Sequence, residues 1–313
     1  MSLTVNVDNF VRAETSRMFA NQLALSGGVN EWAHGRRPQG ASNQTVIRMN
    51  RDTLYSSAVV DISEGATLAM PDGGGRYMSV QVINQDHYTN RIFSGPGTFD
   101  LSTDVFDTPY VALIGRTFVD PDDDDDITAV HALQDALQVS AASSRPFDHP
   151  DYDSESSERT ARHLRGLAGG LQDAVTMFGA RRDVDPVHHL LGTAMGWGGL
   201  PEHEAFYVSD FERRATADHT MTLSDIPADA FWSVTVYNRD GFLEANVQRR
   251  YSLNSVTAHT ATDGSVTVRF SPDVHDDPNW LPITDGWNYT LRLYQPRPIV
   301  LDGSWTPPTP RPV

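Results

Sequence analysis

The chain has 313 residues, with 41 acidic against 24 basic side chains and a net charge of −17. A surface this acidic repels nucleic acid and anionic membranes, which argues against both as partners. There are no cysteines, which removes disulfides, thiolate nucleophiles, iron–sulfur clusters and cysteine-ligated zinc. Every basic residue is Arg, so internal Schiff-base, pyridoxal-phosphate and P-loop lysine chemistry are missing as well.

Residues 8–25 carry Phe10, Val11, Met18, Phe19 and Leu23 near helical spacing, with Asp8 or Asn9 to start the turn and Gly27-Gly28 to end it. This predicts an N-terminal amphipathic helix. From 45 to 118 the texture is β: VIRM, TLYSSAVVDI, ATLAM, RYMSVQVIN, GTFDL and YVALIGRTFV, separated by turns such as PDGGG and SGPG. The aspartate run 122–126 lacks the spaced ligands and Gly of a calcium loop. It leads into Ile127, Val130, Leu133 and Leu137, which suit a helix over 125–138 entered through acidic residues. A Ser-, Asp- and Pro-rich linker over 140–157 precedes helical stretches at 158–180 and 186–196. β texture returns from His219 as HTMTL, AFWSVTVYN, RYSL, SVTVRF and WNYTLRLYQP, and TPPTPRPV forms an extended tail. No apolar run approaches the roughly 18 residues that span a bilayer, and the start MSLTVNVDNF lacks a secretory pattern. The expectation is a cytoplasmic protein.

Two stretches repeat one another. Residues 77–88 read YMSVQVINQDHY and residues 231–242 read FWSVTVYNRDGF, each an alternating run closed by an Asn-x-Asp turn and a further aromatic. Alternation with period two marks a strand with one buried face, and Asn and Asp favour the turn that ends it. Two copies predict a mainly β protein with an α insert: two antiparallel, jelly-roll-like β sandwiches related by internal duplication, with helices between or beside them. The expected division is 1–122 for the helix and first β domain, 123–215 for the helical insert and linker, and 216–313 for the second β domain and tail.

Chemistry concentrates where the copies differ. Asp86-His87 in the first corresponds to Asp240-Gly241 in the second. A His beside a carboxylate can be held in one tautomer and poised near neutral pH. His87 is therefore the candidate general acid or base, with Asp86 its orienter through the Asn84-x-Asp86 turn. Upstream, Asn50-Arg51-Asp52-Thr53-Leu54-Tyr55 gathers polar groups at the entry to a strand; Arg51 reads as an anion clamp and Tyr55 as a proton donor. Asn50, Asp52, Tyr88, Trp197, Glu202 and Trp232 complete the expected substrate-binding set, the tryptophans as stacking surfaces and Glu202 as a second carboxylate. No G-x-S-x-G elbow exists. His188, His189, Glu202, His203 and Glu204 lack the spacing of a helical ligand pair, so no metal site and no cofactor are expected.

The motifs NRDTLYSSAVVDI, RYMSVQVINQDHY and GRTFVDPDD resemble the bacterial domain of unknown function 1254. WGGLPEHEAFY, AFWSVTVYNRDGF, NWLPITDGWNYTLRLYQP and VLDGSWTPP resemble its usual C-terminal companion, the domain of unknown function 1214. The resemblance runs from about Asn9 to Pro308 and implies a two-part β-rich protein with a helical segment; it brings no activity with it. From the residues, the expected function is acid–base hydrolysis or elimination on a small polar or carbohydrate-like substrate. The alternative is a non-catalytic ligand- or carbohydrate-binding sandwich. A homo-oligomer is compatible with either.

Overall fold

The computed structural model of the protein describes residues 2–42, 44, 47–171, 174–209 and 212–313. Two units divide the chain. The first comprises Met1–Arg36, Leu54–Phe118 and Asp123–Pro201, the second Arg37–Thr53, Val119–Asp122 and Glu202–Val313.

The first unit contains α1 (Phe10–Ser26), β1 (Ala33–His34), β2 (Thr53–Asp61), β3 (Ala66–Met70), β4 (Met78–Asn84), β5 (Thr89–Ser94) and β6 (Gly97–Leu101). After them come α2 (Thr103–Phe106), β7 (Tyr110–Phe118), α3 (Asp124–Asp135), β8 (Gln138–Ala141), α4 (Ser154–Leu167) and α5 (Pro186–Gly196). One sheet has the order β1-β2-β7-β4-β5, the other β6-β3-β8. Val80, Val82, Val111 and Leu113 from the first sheet meet Leu68 and Leu101 from the second in a shared core. Every residue of β4 is buried, because its opposite face is covered too. There Val59, Ile83 and Ala112 pack under Phe19 of α1, with Trp197 beside them. Helices α1, α4 and α5 share a further cluster through Phe10, Ala13, Leu164, Leu191 and Ala194.

In the second unit are β9 (Ala205–Ser209), β10 (His219–Leu223), β11 (Ala228–Tyr237), β12 (Ser252–Asn254), β13 (Val266–Ser271), β14 (Trp280–Pro282), β15 (Asn288–Pro296), α6 (Pro298–Leu301) and β16 (Arg311–Pro312). Its sheets run β12-β11-β15-β9 and β14-β13-β10-β16. Met221, Val234, Val236, Phe270, Leu291 and Leu293 form the core between them.

The strand orders correspond. Taken in chain order as β2 to β7, the first unit sets its first, last, third and fourth strands side by side and pairs the second with the fifth. Taken as β9 to β13 and then β15, the second unit does the same. The protein is mainly β, and its sheets are antiparallel apart from the β13–β14 pairing.

Helix starts follow the caps the sequence supplies. Asp123 accepts from the amides of Asp125 and Asp126, Asp153 from that of Ser156, and Asp185 from those of Val187 and His188. The stretch 158–180 yields only α4, ending at Leu167 ahead of Gly169-Gly170; Gln172 and Asp173 lie outside the described residues. The expected VIRM strand includes Val46, also outside them, and Arg48–Asn50 is irregular. The segment 123–215 is shared out: α3, α4 and α5 belong to the first unit, while β9 pairs with β15 in the second. No helix among the described residues is long and apolar enough to cross a membrane.

The repeated turns are bonded alike. Asn84 Oδ1 accepts from the amides of Asp86 and Tyr88, the Asn84 amide donates to Tyr88, and the His87 amide donates to Asn84. Asn238 Oδ1 accepts from Asp240 and Phe242, its amide donates to Phe242, and Gly241 donates to Asn238. Replacing either Asn by Ala orphans two backbone donors. Asn84→Ala should cost about 2–3 kcal/mol and the less buried Asn238→Ala about 1 kcal/mol, read by urea denaturation. Two neutral substitutions would remove these turns from the stability of the fold.

Candidate functional site

At the first turn, backbone geometry comes before chemistry. His87 has φ 64° and Gly241 has φ 86°. This left-handed region is free for Gly and costs a side-chain-bearing residue about 1–2 kcal/mol. Interactions of the His87 ring offset that cost. The Gly198 amide donates to Nε2 at 2.9 Å, and Nδ1 lies 2.8 Å from Thr193 Oγ1. Since Nε2 accepts, the neutral ring carries its proton on Nδ1 and donates it to Thr193. The Thr193 hydroxyl passes the chain on to the His189 carbonyl. The ring stacks on Trp197 at 5.4 Å and meets Phe178 edge-on. Burial, reinforced by the neighbouring His189, holds the His87 pKa well below the usual histidine range.

Asp86 does not orient this ring. Its carboxylate pairs with Arg12 at 2.6 Å, and the His87 Nδ1 partner is Thr193. Tyr88 stacks on His189 at 4.5 Å, and Trp197 donates from Nε1 to Thr15. Tyr55 lies beneath the Arg116 guanidinium, 5.5 Å from its ring centre. The residues around His87 thus form a lock between the turn and α5, with both ring nitrogens engaged.

A different arrangement occupies the second unit, on the face of the β12-β11-β15-β9 sheet that turns away from the apolar core. Ser233, Thr235, Asn254, Asn288, Thr290 and Arg292 line it, and all are buried. The segment Arg37–Thr53 belongs to this unit, and its residues 48–50 lie over them. Arg48 donates to Thr290 Oγ1, Asn288 Oδ1 and the Tyr289 carbonyl. Asn50 donates to the Tyr294 hydroxyl, and the Tyr237 hydroxyl donates to the Met49 carbonyl. Arg292 sends Nη1 to Thr235 Oγ1 and Nη2 to the Tyr237 hydroxyl and the Arg48 carbonyl. Burial alone would lower its pKa, but Tyr237, Tyr294 and Asp52 raise it further above the ordinary arginine value.

Asp52 sits at the end of this cover with 0% exposure. Neither carboxyl oxygen has a hydrogen-bond partner of ordinary geometry, and nor does the Ser233 hydroxyl. Burial raises the Asp52 pKa, opposed by nearby Arg292, Ser233, Asn254 and Arg51. Arg51 donates to the Gln39 carbonyl and to Asp122, with its guanidinium 4.7 Å over the Tyr251 ring. Beside this face a recess lined by Tyr237, Glu244, Asn246, Arg250 and Tyr251 has room for about one water molecule.

Register pairs on the two faces match. In the first unit Ser79 faces Arg116, Gln81 faces Ile114 and Ile83 faces Ala112. At the corresponding places in the second, Ser233 faces Arg292, Thr235 faces Thr290 and Tyr237 faces Asn288. Each buried arginine bonds the side chain two residues along from its serine, Gln81 or Thr235. Each also bonds the carbonyl of one left-handed residue in the overlying segment: Gly198 at φ 81° for Arg116, and Arg48 at φ 55° for Arg292. The amides of those same two residues reach the repeated turns, Gly198 to His87 and Arg48 to the Gly241 carbonyl. A Cβ on Gly241 would meet Ile47 at 3.3 Å, so a larger residue there would press against the cover.

The expected site residues therefore separate. Tyr55, Asp86, His87, Tyr88 and Trp197 belong to the first unit, and Asn50, Arg51, Asp52, Glu202 and Trp232 to the second. Trp232 packs in the apolar core and offers no stacking face, while Glu202 is half-buried ahead of β9. Arg292, Ser233, Asn254 and Arg116 were missed. The alternation of β15 carried the signal, because Asn288, Thr290 and Arg292 fall on the face opposite Tyr289, Leu291 and Leu293.

Two mainly β units with matching strand orders, each with a buried arginine under a covering segment, define the class. The chain matches the family described as protein of unknown function DUF1254 over residues 29–103 and the one described as protein of unknown function DUF1214 over residues 209–298. It belongs to the proteins that pair these two domains. The VPA0106 protein of Vibrio parahaemolyticus, known from its crystal structure, is similar at 21% identity and TM-score 0.78, over 98% of this chain and 97% of that one. A putative uncharacterized protein from Burkholderia cenocepacia is similar at 14% identity and TM-score 0.54, over 96% of this chain and 86% of that one. These likenesses show the fold. No curated protein matches.

The His87 lock has a pH signature. Its pKa is lowered in the folded state, so the unfolded chain takes up a proton first as pH falls. The stability it contributes is complete above the unfolded value, about 6.5, and is lost as pH drops below it. His87→Gly keeps the turn, as Gly241 shows. Its unfolding free energy should fall less steeply between pH 6.5 and 5, by up to about 1.4 kcal/mol per pH unit. Parallel slopes would mean that His87 does not titrate on unfolding.

Proposed function

We propose that the protein binds a small polar, carbohydrate-like molecule on the outer sheet face of its second unit. The Asp52 carboxyl carries this reading: it is fully buried, and Ser233 and Asn254 beside it meet its oxygens only in poor hydrogen-bond geometry. Buried polar groups left unmatched cost about 1–3 kcal/mol each, a cost that a ligand-binding role explains. The contrast with the first unit supports it, since Ile83, Ala112 and Ile114 stand where this face has Tyr237, Asn288 and Thr290. An apolar filling is therefore compatible with the architecture.

A second reading is favoured by the raised Asp52 pKa. A carboxyl kept toward its neutral form beside an arginine and two tyrosines suits a general acid, in hydrolysis or elimination. The role expected of His87 then passes to Asp52.

We further propose that the units are copies of one six-stranded, jelly-roll-like sandwich. The shared strand order, the identically bonded Asn turns and the Ser–Arg register pairs support this.

The test is a thermal-shift screen of small polar molecules on the wild type and on Asp52→Asn. A group whose folded pKa is raised loses stability as pH climbs past its unfolded value, about 3.9 for Asp. Without ligand, Asp52→Asn should therefore melt higher than the wild type at pH 7, by an increment that shrinks toward pH 4. A ligand that stabilises the wild type should lose its effect in Asp52→Asn and in Ser233→Ala. Ligand shifts that survive both substitutions, or a screen without any shift, would overturn the site.

A further inference from the structure

The covering segment shows what the site is built to hold. Resting on the reading of this face as a ligand site, we infer that its ligand is a small hydroxy acid, and that the stretch of Arg48 and Met49 competes with the acid for its place. Two adjacent backbone carbonyls of the segment do so. The Arg48 carbonyl accepts from Arg292 Nη2 at 2.9 Å, and the Met49 carbonyl accepts from the Tyr237 hydroxyl at 2.9 Å. A guanidinium and a phenol that converge on neighbouring acceptors match the two oxygens of a carboxylate.

Charge favours the same ligand. Arg292 is 4% exposed and permanently ionised, and its hydrogen bonds go to neutral oxygens: Thr235, Tyr237 and the Arg48 carbonyl. Asp52 acts on it through space, without a hydrogen bond of ordinary geometry between them. Burial works against the Asp52 charge, so the carboxylate offsets the guanidinium only in part. A buried cation bonded only to neutral acceptors gains most from an anion. Asp52, Ser233 and Asn254 supply the other half of the ligand's recognition. A carboxyl, a hydroxyl and an amide suit a hydroxyl group next to the carboxylate, and sugar acids and 2-hydroxy acids share that arrangement.

The cover is fastened in a way that permits exchange. Polar contacts do most of the holding: Arg48 to β15, Asn50 to Tyr294, and Gln44 to the Leu243 backbone in both directions. Each such bond contributes a net of only about 0.5–1.5 kcal/mol. Ile47 is 54% exposed, and Ala41 makes a modest contact with Tyr237, Leu243 and Tyr251. In the first unit the corresponding cover is pinned by Trp197, which stacks on His87 and packs on Phe19.

Calorimetric titration with lactate tests the inference, with acetate and 1,2-propanediol as probes lacking the hydroxyl and the carboxylate. Lactate should bind the wild type at least roughly tenfold more tightly than either. Arg48→Ala loosens the cover and leaves Arg292 and Asp52 in place. It should tighten lactate several-fold by raising the fraction of open protein, and lactate should accelerate tryptic cleavage after Arg48 in the wild type. Unchanged or weaker lactate binding in Arg48→Ala would overturn displacement of the cover. Lactate bound no better than the two control probes, or bound by neither protein, would overturn the hydroxy-acid class. In both cases the site itself survives if another ligand loses its thermal shift in Asp52→Asn. Lactate binding that persists in Asp52→Asn and in a folded Arg292→Met would instead remove the site.

Discussion

A guanidinium that can never lose its proton lies buried in the main sheet of each unit, and this constraint governs what covers the sheet. Arg116 and Arg292 sit at matching register positions opposite Ser79 and Ser233. Neither can be left without acceptors, so a single overlying residue in left-handed conformation supplies a carbonyl to each. The same residue's amide then ties down the repeated turn. One charge thus fixes the path of the covering segment and the orientation of the strand end beneath it.

Around that shared arrangement the units differ. In the first, a histidine stands at the left-handed position of the turn, accepts from the cover and reaches α5 through Thr193. Aromatic packing around Trp197 completes a tight apolar cap. In the second, glycine stands there, Ile47 lies against it, and the space beneath the cover fills with hydroxyls, amides and one acid. Packing of the first kind adds stability, whereas a buried polar layer usually adds little.

Much of the strand framework was legible because period-two alternation and Asn-x-Asp turns are local signals, and both repeats have them. The helix entry through the aspartate run was legible too, whereas the equally local caps at Asp153 and Asp185 were not read. The division of the helical stretch was not legible, because where α4 and α5 pack depends on α1. His87 drew attention through its missing counterpart, but its partners Thr193 and Gly198 lie 106 and 111 residues away. Adjacency to Asp86 suggested a couple that Arg12 breaks. Arg292 was visible as a charge inside an alternating strand. Its pairing with a segment 244 residues earlier was not, since no local pattern encodes it.

The order in which the chain is made gives that long separation a further meaning. The second unit draws on three stretches of chain, and Arg48 must wait for Thr290, 242 residues downstream, before its hydrogen bonds can close. Closure of such distant contacts comes late in folding. During synthesis the segment around Arg48 leaves the ribosome while its partner strands do not yet exist, and an apolar cover would be a sticky intermediate through that interval. A polar one stays hydrated until β11 and β15 arrive. Because the unit is discontinuous, a fragment starting at Glu202 would lack both the cover and the stretch Val119–Asp122, so the arginine on β15 would have no carbonyl waiting for it.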